Sequence, residues 1–176
     1  MKVPDVRIDA ISPETFPAWH ALRLRALKDH PDAFGASWAA YAATSLDEAR
    51  AGFFSRQGPR SRTWGAFAPD GTLLGTAGLF CDDGPKMAHR AHIWGMYVAP
   101  EARGQRIAER LIAEAIAFAR SIDGILQVHL AVTSHNTSAK RLYRRMGFVT
   151  YGVEPRVLIV EGTGYDEDLM VLMLDA

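Results

Sequence analysis

The residues from Arg103 to Ala108 form a turn that enters a helix, and their types suit the binding of a pyrophosphate. The first turn of a helix leaves several backbone N–H groups without partners and carries a partial positive charge, which attracts phosphate. Gly104 and Ala108 are small enough for a phosphate to approach the backbone, while Arg103 and Arg106 add charged donors. This turn therefore predicts a pyrophosphate site, and an ordinary helix start after a glycine turn is the alternative.

The elements around this turn are predicted from the spacing of apolar residues. Residues 91–98 are rich in strand-forming types, and the helix predicted over 105–120 carries its apolar residues on one side: Ile107, Leu111, Ala115, Phe118 and Ala119. The mostly apolar run 125–132 predicts a strand that is buried on both faces. Asn136 is suited to cap a further helix, which Gly147 ends.

Outside this central region the pattern alternates between short strands and helices. Helices are predicted over 16–27 and 46–54, and strands over 6–11, 63–67, 72–80, 148–153, 156–160 and 168–174. An Asp-Gly pair joins the second and third of these strands as a hairpin. No repeat, low-complexity segment or linker is visible, so we expect a single domain over residues 1–176.

Residues 96–108 and 136–148 carry two motifs at a characteristic separation. In the first, Arg103 and Ala108 match a Gln/Arg-x-x-Gly-x-Gly/Ala turn; in the second, an Asn-containing helix start and a Tyr-x-x-x-Gly-Phe ending are matched by Asn136, Tyr143, Gly147 and Phe148. Together they resemble the GNAT superfamily of acetyl-CoA-dependent N-acetyltransferases. The resemblance implies an α/β (α+β) fold with a mixed, largely antiparallel sheet of about seven strands, flanked by about four helices and splayed at the acetyl-CoA site.

The resemblance also implies acetyl-CoA as co-substrate and no metal. The resemblance implies a bulge in the strand before the turn, which frees backbone N–H groups around Met96 to Val98 for the pantetheine and the acetyl oxygen. The cofactor contacts that it implies come from Met96, Val98, Arg103, Gly104, Gln105, Arg106, Ile107, Ala108 and Asn136. Tyr143 matches the family's general acid, because a phenol is protonated at neutral pH and can give its proton to the departing thiolate. Two structural alternatives remain at this point: Asn136 only caps its helix, and Tyr143 is a core aromatic residue.

Arg106 stands where the family most often has its central glycine. Helical geometry does not require a positive φ, so we expect the backbone to accept arginine there. The guanidinium charge suits an anionic ligand, so we expect acetyl-CoA binding to be retained. The competing hypothesis is a catalytically inactive CoA-binding or regulatory module with the same fold.

The residue that accepts the proton of the amine is a separate question. His92 lies on the strand before the turn, and strict alternation puts it on the same face as Trp94 and Met96. Its imidazole is suited to take up a proton, and an exposed strand histidine without a catalytic role is the alternative. His89 and His135 are expected in loops. A lysine amine of pKa about 10.4 costs roughly 4 to 5 kcal/mol to neutralise at pH 7, whereas an α-amino group near 7.8 costs about 1, so we expect a low-pKa amine as acceptor.

The resemblance places the acceptor between the first helices and the last hairpin, near Trp19, Arg23, residues 30–37 and residues 165–167. We expect the acidic group Asp166, Glu167 and Asp168 on this acceptor side, with the basic residues of the two motifs facing the phosphates. The acceptor amine is left open between a small molecule and a peptide or protein, and a homodimer is a further possible partner.

Composition excludes several other classes of protein. The 176 residues carry 20 Lys plus Arg and 20 Asp plus Glu, a balance that argues against a nucleic-acid-coating protein. With 48% hydrophobic residues the chain is too apolar to be disordered. The single Cys81 excludes an intramolecular disulfide and a cysteine-based zinc cluster. Residues 1–7 lack the pattern of a secretory signal, and no apolar run approaches the roughly 20 residues of a membrane span, so we expect a cytoplasmic location.

Overall fold

The computed structural model describes residues 5–174. Residues 1–4 belong to the segment in which we expect no secretory signal, and they lie outside the described residues. The seven strands are β1 (Arg7–Ala10), β2 (Ser61–Phe67), β3 (Leu73–Cys81), β4 (Arg90–Val98), β5 (Gln127–Thr133), β6 (Val149–Val160) and β7 (Thr163–Met173). The α-helices are α1 (Phe16–Asp29), α2 (Trp38–Ala42), α3 (Leu46–Phe54), α4 (Ile107–Ser121) and α5 (Thr137–Arg145). Short 3-10 turns follow α1 (Pro31–Ala33) and β4 (Pro100–Ala102).

All seven strands form one sheet in the order β1-β2-β3-β4-β5-β7-β6. Each neighbouring pair is antiparallel except β4 and β5, which α4 connects as a parallel pair. This one parallel pair is short, because β4 and β5 are in register only from Arg90–Gln127 to His92–His129. Beyond His92 the two strands separate, so the predicted splay lies between the strands that the sequence indicated.

Two apolar clusters hold the helices on opposite faces of the sheet. On one face, α4 packs against the central strands through Leu111, Ile112 and Ala115. On the other face, α1 and α3 meet the sheet through Phe16, Trp19 and Phe53, with Tyr97 from β4. Burial of these side chains is the main stabilising contribution, at roughly 1.5 to 3 kcal/mol for each large apolar side chain. Strands β4 and β5 therefore separate between two fixed layers.

The largest departures from the predicted elements lie at the C-terminal end. Three apolar runs were predicted there, but residues 149–160 form the single strand β6 despite Pro155. The pairing of β6 with β7 shifts between Glu154 and Leu158, and Arg156 has φ +49, so the chain absorbs the proline as an irregularity in a continuing strand. The short helix α2 was also missed, which makes five α-helices where about four were predicted.

Within residues 5–174, none of the helices combines the length and the apolar character that crossing a membrane would require.

Candidate active site

A cleft of about 1160 Å³ occupies the gap between the separated ends of β4 and β5. Its walls come from the 3-10 turn after α1, the second half of β4, the start of α4, the end of β5 and the first turns of α5. The cleft includes eight of the predicted site residues: Met96, Val98, Arg103, Gly104, Arg106, Ile107, Ala108 and Asn136. Tyr143 also lines it, whereas Gln105 and His92 are not among its lining residues.

A β-bulge at Gly95 shapes the wall that β4 contributes. Gly78 pairs with Trp94 and Thr76 pairs with Tyr97, so one extra residue of β4 lies between these pairs, and Gly95 has φ +64. An extra residue reverses the alternation of side chains, so strict alternation gave the wrong facing for Met96. Trp94 packs on the α1 side of the sheet, and Met96 packs on the α4 side.

The start of α4 presents a run of unpaired backbone donors to the cleft. Within the described residues, no hydrogen-bond acceptor lies opposite the amide N–H groups of residues 104–109. Gly104 has φ +79, and a Cβ built there would meet nothing within 4 Å. Successive free N–H groups at a helix start form a concave anion-binding surface. This geometry fits the pyrophosphate of a nucleotide-type ligand.

Arg106 has a left-handed backbone conformation, with φ 58 and ψ 18, at the N-cap of α4. The expectation that this position needs no positive φ was therefore wrong, because the residue precedes the helix and turns the chain into it. A side chain in this conformation costs about 1 to 2 kcal/mol, and glycine avoids that cost. The preference for glycine at the corresponding family position has this physical reason, and the arginine here adds a guanidinium to the cleft.

Arg103 forms hydrogen bonds with residues from two segments that line the cleft. Its Nε donates to the Val98 carbonyl at 3.2 Å, and its Nη2 lies 3.1 Å from Nε2 of His30, the residue that follows α1. The guanidinium therefore spans from the cofactor turn to the segment after α1. Part of its hydrogen-bonding capacity is already used within the protein.

Asn136 and Asp168 fix the position of α5. The Asn136 side chain caps the helix by accepting the Ala139 N–H at 3.1 Å, as the sequence predicted. Lys140 Nζ lies 2.8 Å from one Asp168 carboxylate oxygen, and the Ser134 hydroxyl donates to the other at 2.7 Å. Burial alone would raise the pKa of Asp168, yet the hydrogen bonds from Lys140 and Ser134 hold it below its ordinary value.

Tyr143 projects from α5 into the core beside the cleft. Its side chain is buried among the apolar residues of the α4 face, and its ring meets Phe148 at 6.0 Å in an edge-to-face arrangement. Burial raises the pKa of Tyr143 to about 12, because the phenolate loses hydration. The residue is thus both a core aromatic and a lining residue of the cleft, and it stays protonated throughout the physiological range.

His92 lies outside the cleft, where its ring packs between two other rings. Its Nε2 is 3.0 Å from the Asp82 carboxylate, and its ring stacks on Phe80 at 4.9 Å and on His129 at 5.4 Å. The predicted role of His92 as proton acceptor therefore finds no support in the geometry. Within β4, only residues from Ile93 onward line the cleft, because His92 still pairs with β5 before the two strands separate.

His135 and Asp32 form a pair across the mouth of the cleft. His135 Nε2 lies 2.8 Å from the Asp32 carboxylate, and both residues line the cleft. The Thr133 hydroxyl donates to the Asp32 backbone carbonyl at 2.8 Å and ties the 3-10 turn to the end of β5. If Nε2 carries the proton that Asp32 accepts, Nδ1 keeps a free lone pair. This is the arrangement that a proton acceptor requires.

Arg23 places a buried positive charge next to Phe34, Trp94 and Gly95, which line this end of the cleft, although Arg23 itself is not a lining residue. Only 8% of its surface is exposed, and its guanidinium carbon lies 4.8 Å from the ring centre of Phe34 and 5.9 Å from that of Trp94. Its Nη1 has no hydrogen-bond partner within the described residues and points at Gly95. Burial lowers the pKa of Arg23, because the charged form loses hydration.

Comparison with known proteins agrees with this geometry. The model of the acetyltransferase (GNAT) family matches residues 19–148. The chain belongs to this family. The match begins at Trp19, within α1, and extends past the end of α5, so it includes every segment of the GNAT cleft described above.

Three relatives illustrate the similarity. Mycothiol acetyltransferase from Salinispora tropica is 32% identical over 137 residues, which cover 76% of this chain and 41% of that protein. N-alpha-acetyltransferase RimI from Mycobacterium tuberculosis is 37% identical over 93 residues, which cover 52% of this chain and 55% of that protein. The chain thus spans about half the length of these curated relatives or less. The structure of YncA from Salmonella typhimurium with its cofactor acetyl-CoA has a TM-score of 0.83 at 20% identity, covering 98% of this chain and 95% of that one.

The acidic group at residues 166–168 does not act as one surface in this GNAT chain. Asp168 faces the α5 side, where Lys140 and Ser134 hold it, and an Asp166 oxygen accepts the Arg156 N–H at 2.7 Å. Glu167 is the third residue of this acidic group, and its pKa is raised by burial and by the nearby Glu154 carboxylate. The prediction of an acidic acceptor side was therefore wrong for Asp168, because alternation along β7 sends neighbouring side chains to opposite faces.

The residues that sequence reasoning missed come from distant parts of the chain. Asp32 lies within residues 30–37, which the resemblance placed near the acceptor, but its contact with His135 joins residues 103 positions apart and no local pattern predicts it. The resemblance implied a bulge in this strand but not its position; the isolated Gly95 inside the strand pattern was the signal available for that position. Arg23 had been placed near the acceptor, but its lack of a partner appears only in the fold.

Proposed function

We propose that this GNAT family member is an acetyl-CoA-dependent N-acetyltransferase that acts on the primary amine of a small molecule. One observation carries the proposal: a single cleft at the splay of β4 and β5 contains both the unpaired N–H groups of residues 104–109 and Tyr143. The N–H groups suit a pyrophosphate, and the protonated phenol suits a departing thiolate. The complex of YncA with acetyl-CoA, on the same fold, supports this choice of co-substrate.

The residues present fit the parts of acetyl-CoA in order along the cleft. The turn of Gly104, Arg106 and Ala108 would hold the pyrophosphate, and the unpaired edge of β4 at Met96 and Val98 would hold the pantetheine arm. Within the described residues, no group of His, Cys, Asp and Glu side chains is arranged to bind a metal ion. Acetyl-CoA, when bound, supplies a thioester whose carbonyl carbon accepts the amine nitrogen.

Two side chains handle the protons of this reaction. As the new C–N bond forms and the C–S bond breaks, Tyr143 gives its phenolic proton to the sulfur, which leaves as the thiol. His135, oriented by Asp32, takes the proton that the amine nitrogen loses, directly or through a water. Proton return from His135 to Tyr143 through solvent restores both residues, so atoms and charges balance.

The amine must reach the cleft without its extra proton. Neutralising a lysine-type amine at pH 7 costs roughly 4 to 5 kcal/mol, whereas an α-amino group costs about 1. An imidazole is a weak enough base that it matches the α-amino group better than the lysine amine. The amine we propose is therefore an α-amino group or another amine of low pKa, and RimI, named for N-alpha-acetylation, supports this class.

The experiment that tests the function measures thiol release from acetyl-CoA with the purified chain. The amine panel contains amino acids, amino-acid carboxamides, polyamines, aminoglycosides and peptides, and CoA binding is measured in parallel by calorimetry. Turnover with at least one amine supports the proposal. CoA binding without thiol release with any amine would contradict it and favour the inactive CoA-binding module.

The single domain over residues 1–176, the cytoplasmic location and the homodimer stay predictions. A peptide or protein acceptor is an outcome that the same amine panel detects.

A further inference from the structure

We propose that the acceptor is an amine that also carries a carboxylate, an α-amino acid or a close analogue, and that Arg23 binds this carboxylate. The inference rests on the proposed N-acetyltransferase function and deepens it by naming the substrate class. It begins from the burial and the missing partner of one guanidinium.

Arg23 has no counter-charge among the residues that the structure describes. No salt bridge joins it to a carboxylate within residues 5–174, and its Nη1 is fully enclosed without a hydrogen-bond acceptor. A buried charge without a partner destabilises a fold strongly, and an apolar side chain of similar volume would usually pack there at lower cost. The unpaired guanidinium is therefore better explained by a ligand than by the stability of the free protein.

The aromatic neighbours orient the guanidinium without satisfying its donors. Phe34 and Trp94 lie within 6 Å of the Arg23 charge, and their ring faces attract the cation. Aromatic faces do not replace the oxygen acceptors that the N–H donors of arginine require. The planar fork of arginine matches the two oxygens of a carboxylate, which favours this anion over a single-atom acceptor.

Gly95 leaves space next to the free Nη1. Apart from its chain neighbours, a Cβ built at Gly95 would meet only Arg23 Nη1, at 3.8 Å. Gly95, Phe34 and Trp94 all line the cleft, on the α1 side of the bulge in β4. Because Nη1 is enclosed, a carboxylate would reach it by entering beside Gly95 and displacing the side chains that cover it, while the rest of the ligand stays in the cleft.

The same contact would help the amine to react. A carboxylate beside an ammonium group stabilises its charged form and raises its pKa. Pairing the carboxylate with Arg23 offsets that effect, so the amine loses its proton more easily. A peptide N-terminus has no α-carboxylate to offer, so Arg23 would favour free amino acids over protein chains.

The test compares amino acids with their carboxamides, which keep the amine and lose the charge of the carboxylate. We expect the wild-type chain to use amino acids at least about tenfold more efficiently, measured as kcat/KM for thiol release. Arg23→Met should lower kcat/KM for amino acids about tenfold to a hundredfold, mainly through KM, and leave the carboxamides within about twofold. Arg23→Lys should restore part of the loss.

Two controls accompany this test: a variant of a second arginine and a measurement of thermal stability. Arg50 lies over Phe16 at 5.8 Å in the same layer of the protein and also has a buried nitrogen, Nε, without a partner within the described residues. Phe16 does not line the cleft, whereas Phe34 and Trp94 beside Arg23 do, so Arg50→Met should change neither series. Without ligand, Arg23→Met should melt at or above the wild-type temperature, because it removes an unpaired buried charge. Amino acids, and not carboxamides, should raise the melting temperature of the wild type.

The outcomes separate this inference from the proposed function. Equal use of amino acids and carboxamides by the wild type, or an equal loss of both in Arg23→Met, would overturn the inference. Turnover with polyamines alone would overturn it and leave the acetyltransferase function standing. An absence of thiol release with every amine would overturn the function and the inference together. If Arg23→Met does not fold, the melting shifts of the wild type decide.

Discussion

The two ends of the cleft are built in different ways. The cofactor end is one continuous turn, residues 103–109, whose backbone N–H groups point at the ligand. The acceptor end combines Arg23, Asp32, Trp94 and His135, which come from four separate segments. A backbone site tolerates many side chains, whereas a side-chain site changes with each residue. On the function that we propose, the first end would bind the co-substrate and the second would determine which amine is used.

Tyr143→Phe is the variant for which we expect the largest effect. If the phenol at the junction of the two ends gives the proton to the thiolate, kcat should fall about 10²- to 10⁴-fold, with the Kd for CoA unchanged. Stopped-flow or steady-state thiol release measures kcat, and calorimetry measures the Kd. Since the Tyr143 pKa is raised to about 12, kcat should show no loss from tyrosine ionisation at pH 10, where an ordinary tyrosine is half ionised.

Tyr151→Phe is the control for this variant, because Tyr151 is half-exposed on β6 and does not line the cleft. Its kcat should equal that of the wild type. An unchanged kcat in Tyr143→Phe would remove the assigned acid and leave only the core role of the ring.

Asp168→Ala tests the support of the cofactor end. Removing this carboxylate leaves the Lys140 ammonium, whose side chain is only 16% exposed, without a counter-charge and with the Ser134 carbonyl as its remaining acceptor, so the free energy of unfolding should fall by about 3 kcal/mol. Chemical denaturation measures this value. The Asp168 pKa is lowered in the folded state, so the stabilisation is present above the unfolded pKa near 3.9 and is lost as the pH falls below it.

The exposed pair of Arg25 and Glu101 is the matched comparison for Asp168. Glu101→Ala breaks a hydrogen-bonded pair on the surface and should change the free energy of unfolding far less. Equal losses in the two variants would show that burial does not set the strength of the Lys140–Asp168 pair.

His135→Gln and Asp32→Asn test the acceptor end. Each should lower kcat about tenfold to a hundredfold, because the first removes the proton acceptor and the second removes the carboxylate that orients it. Raising the pH should restore part of kcat in His135→Gln, since more of the amine is then already neutral. The measurement is the pH profile of thiol release.

His129→Gln serves as the control for His135, since it changes a histidine of the same strand region that does not line the cleft. It should leave the profile unchanged. A pH profile of His135→Gln that has the wild-type shape would exclude His135 as the proton acceptor.

The smallest expected effect concerns the backbone of the cofactor turn. Arg106→Gly removes the left-handed strain, so the free energy of unfolding should rise by up to about 1 kcal/mol. It also removes one positive charge from the phosphate end, so KM for acetyl-CoA should rise about threefold. Thermal unfolding and steady-state kinetics measure the two effects separately.

Gly104→Ala and Gly162→Ala are the comparison variants for Arg106→Gly. Both glycines have φ near +80 and open space around them, but only Gly104 lines the cleft. Each alanine should destabilise the fold by about 1 kcal/mol, and only Gly104→Ala should raise KM for acetyl-CoA. A rise in both would mean that the loss of stability, and not the turn, weakens binding.

Much of the cofactor end was predictable because its signals are local. The α4 stripe of Ile107, Leu111, Ala115 and Ala119 is buried as its spacing indicated, and the Asn136 cap is in place. The left-handed φ of Arg106 was not predicted, because the sequence does not show whether this residue lies just before the helix or within its first turn. The wrong facing of Met96 followed from one bulge at Gly95.

The amino-acid sequence by itself determined the order of elements, the helix turn that suits phosphate and the membership of the acetyltransferase (GNAT) family. These features depend on neighbours in the chain, whose spacing is visible in the sequence. Only the tertiary structure decided that His92 faces Asp82, that His135 meets Asp32 and that Arg23 is buried without a partner. The first contact depends on the pairing of β3 with β4, and the other two depend on the packing of α1 and the turn after it against the sheet, which no local spacing encodes.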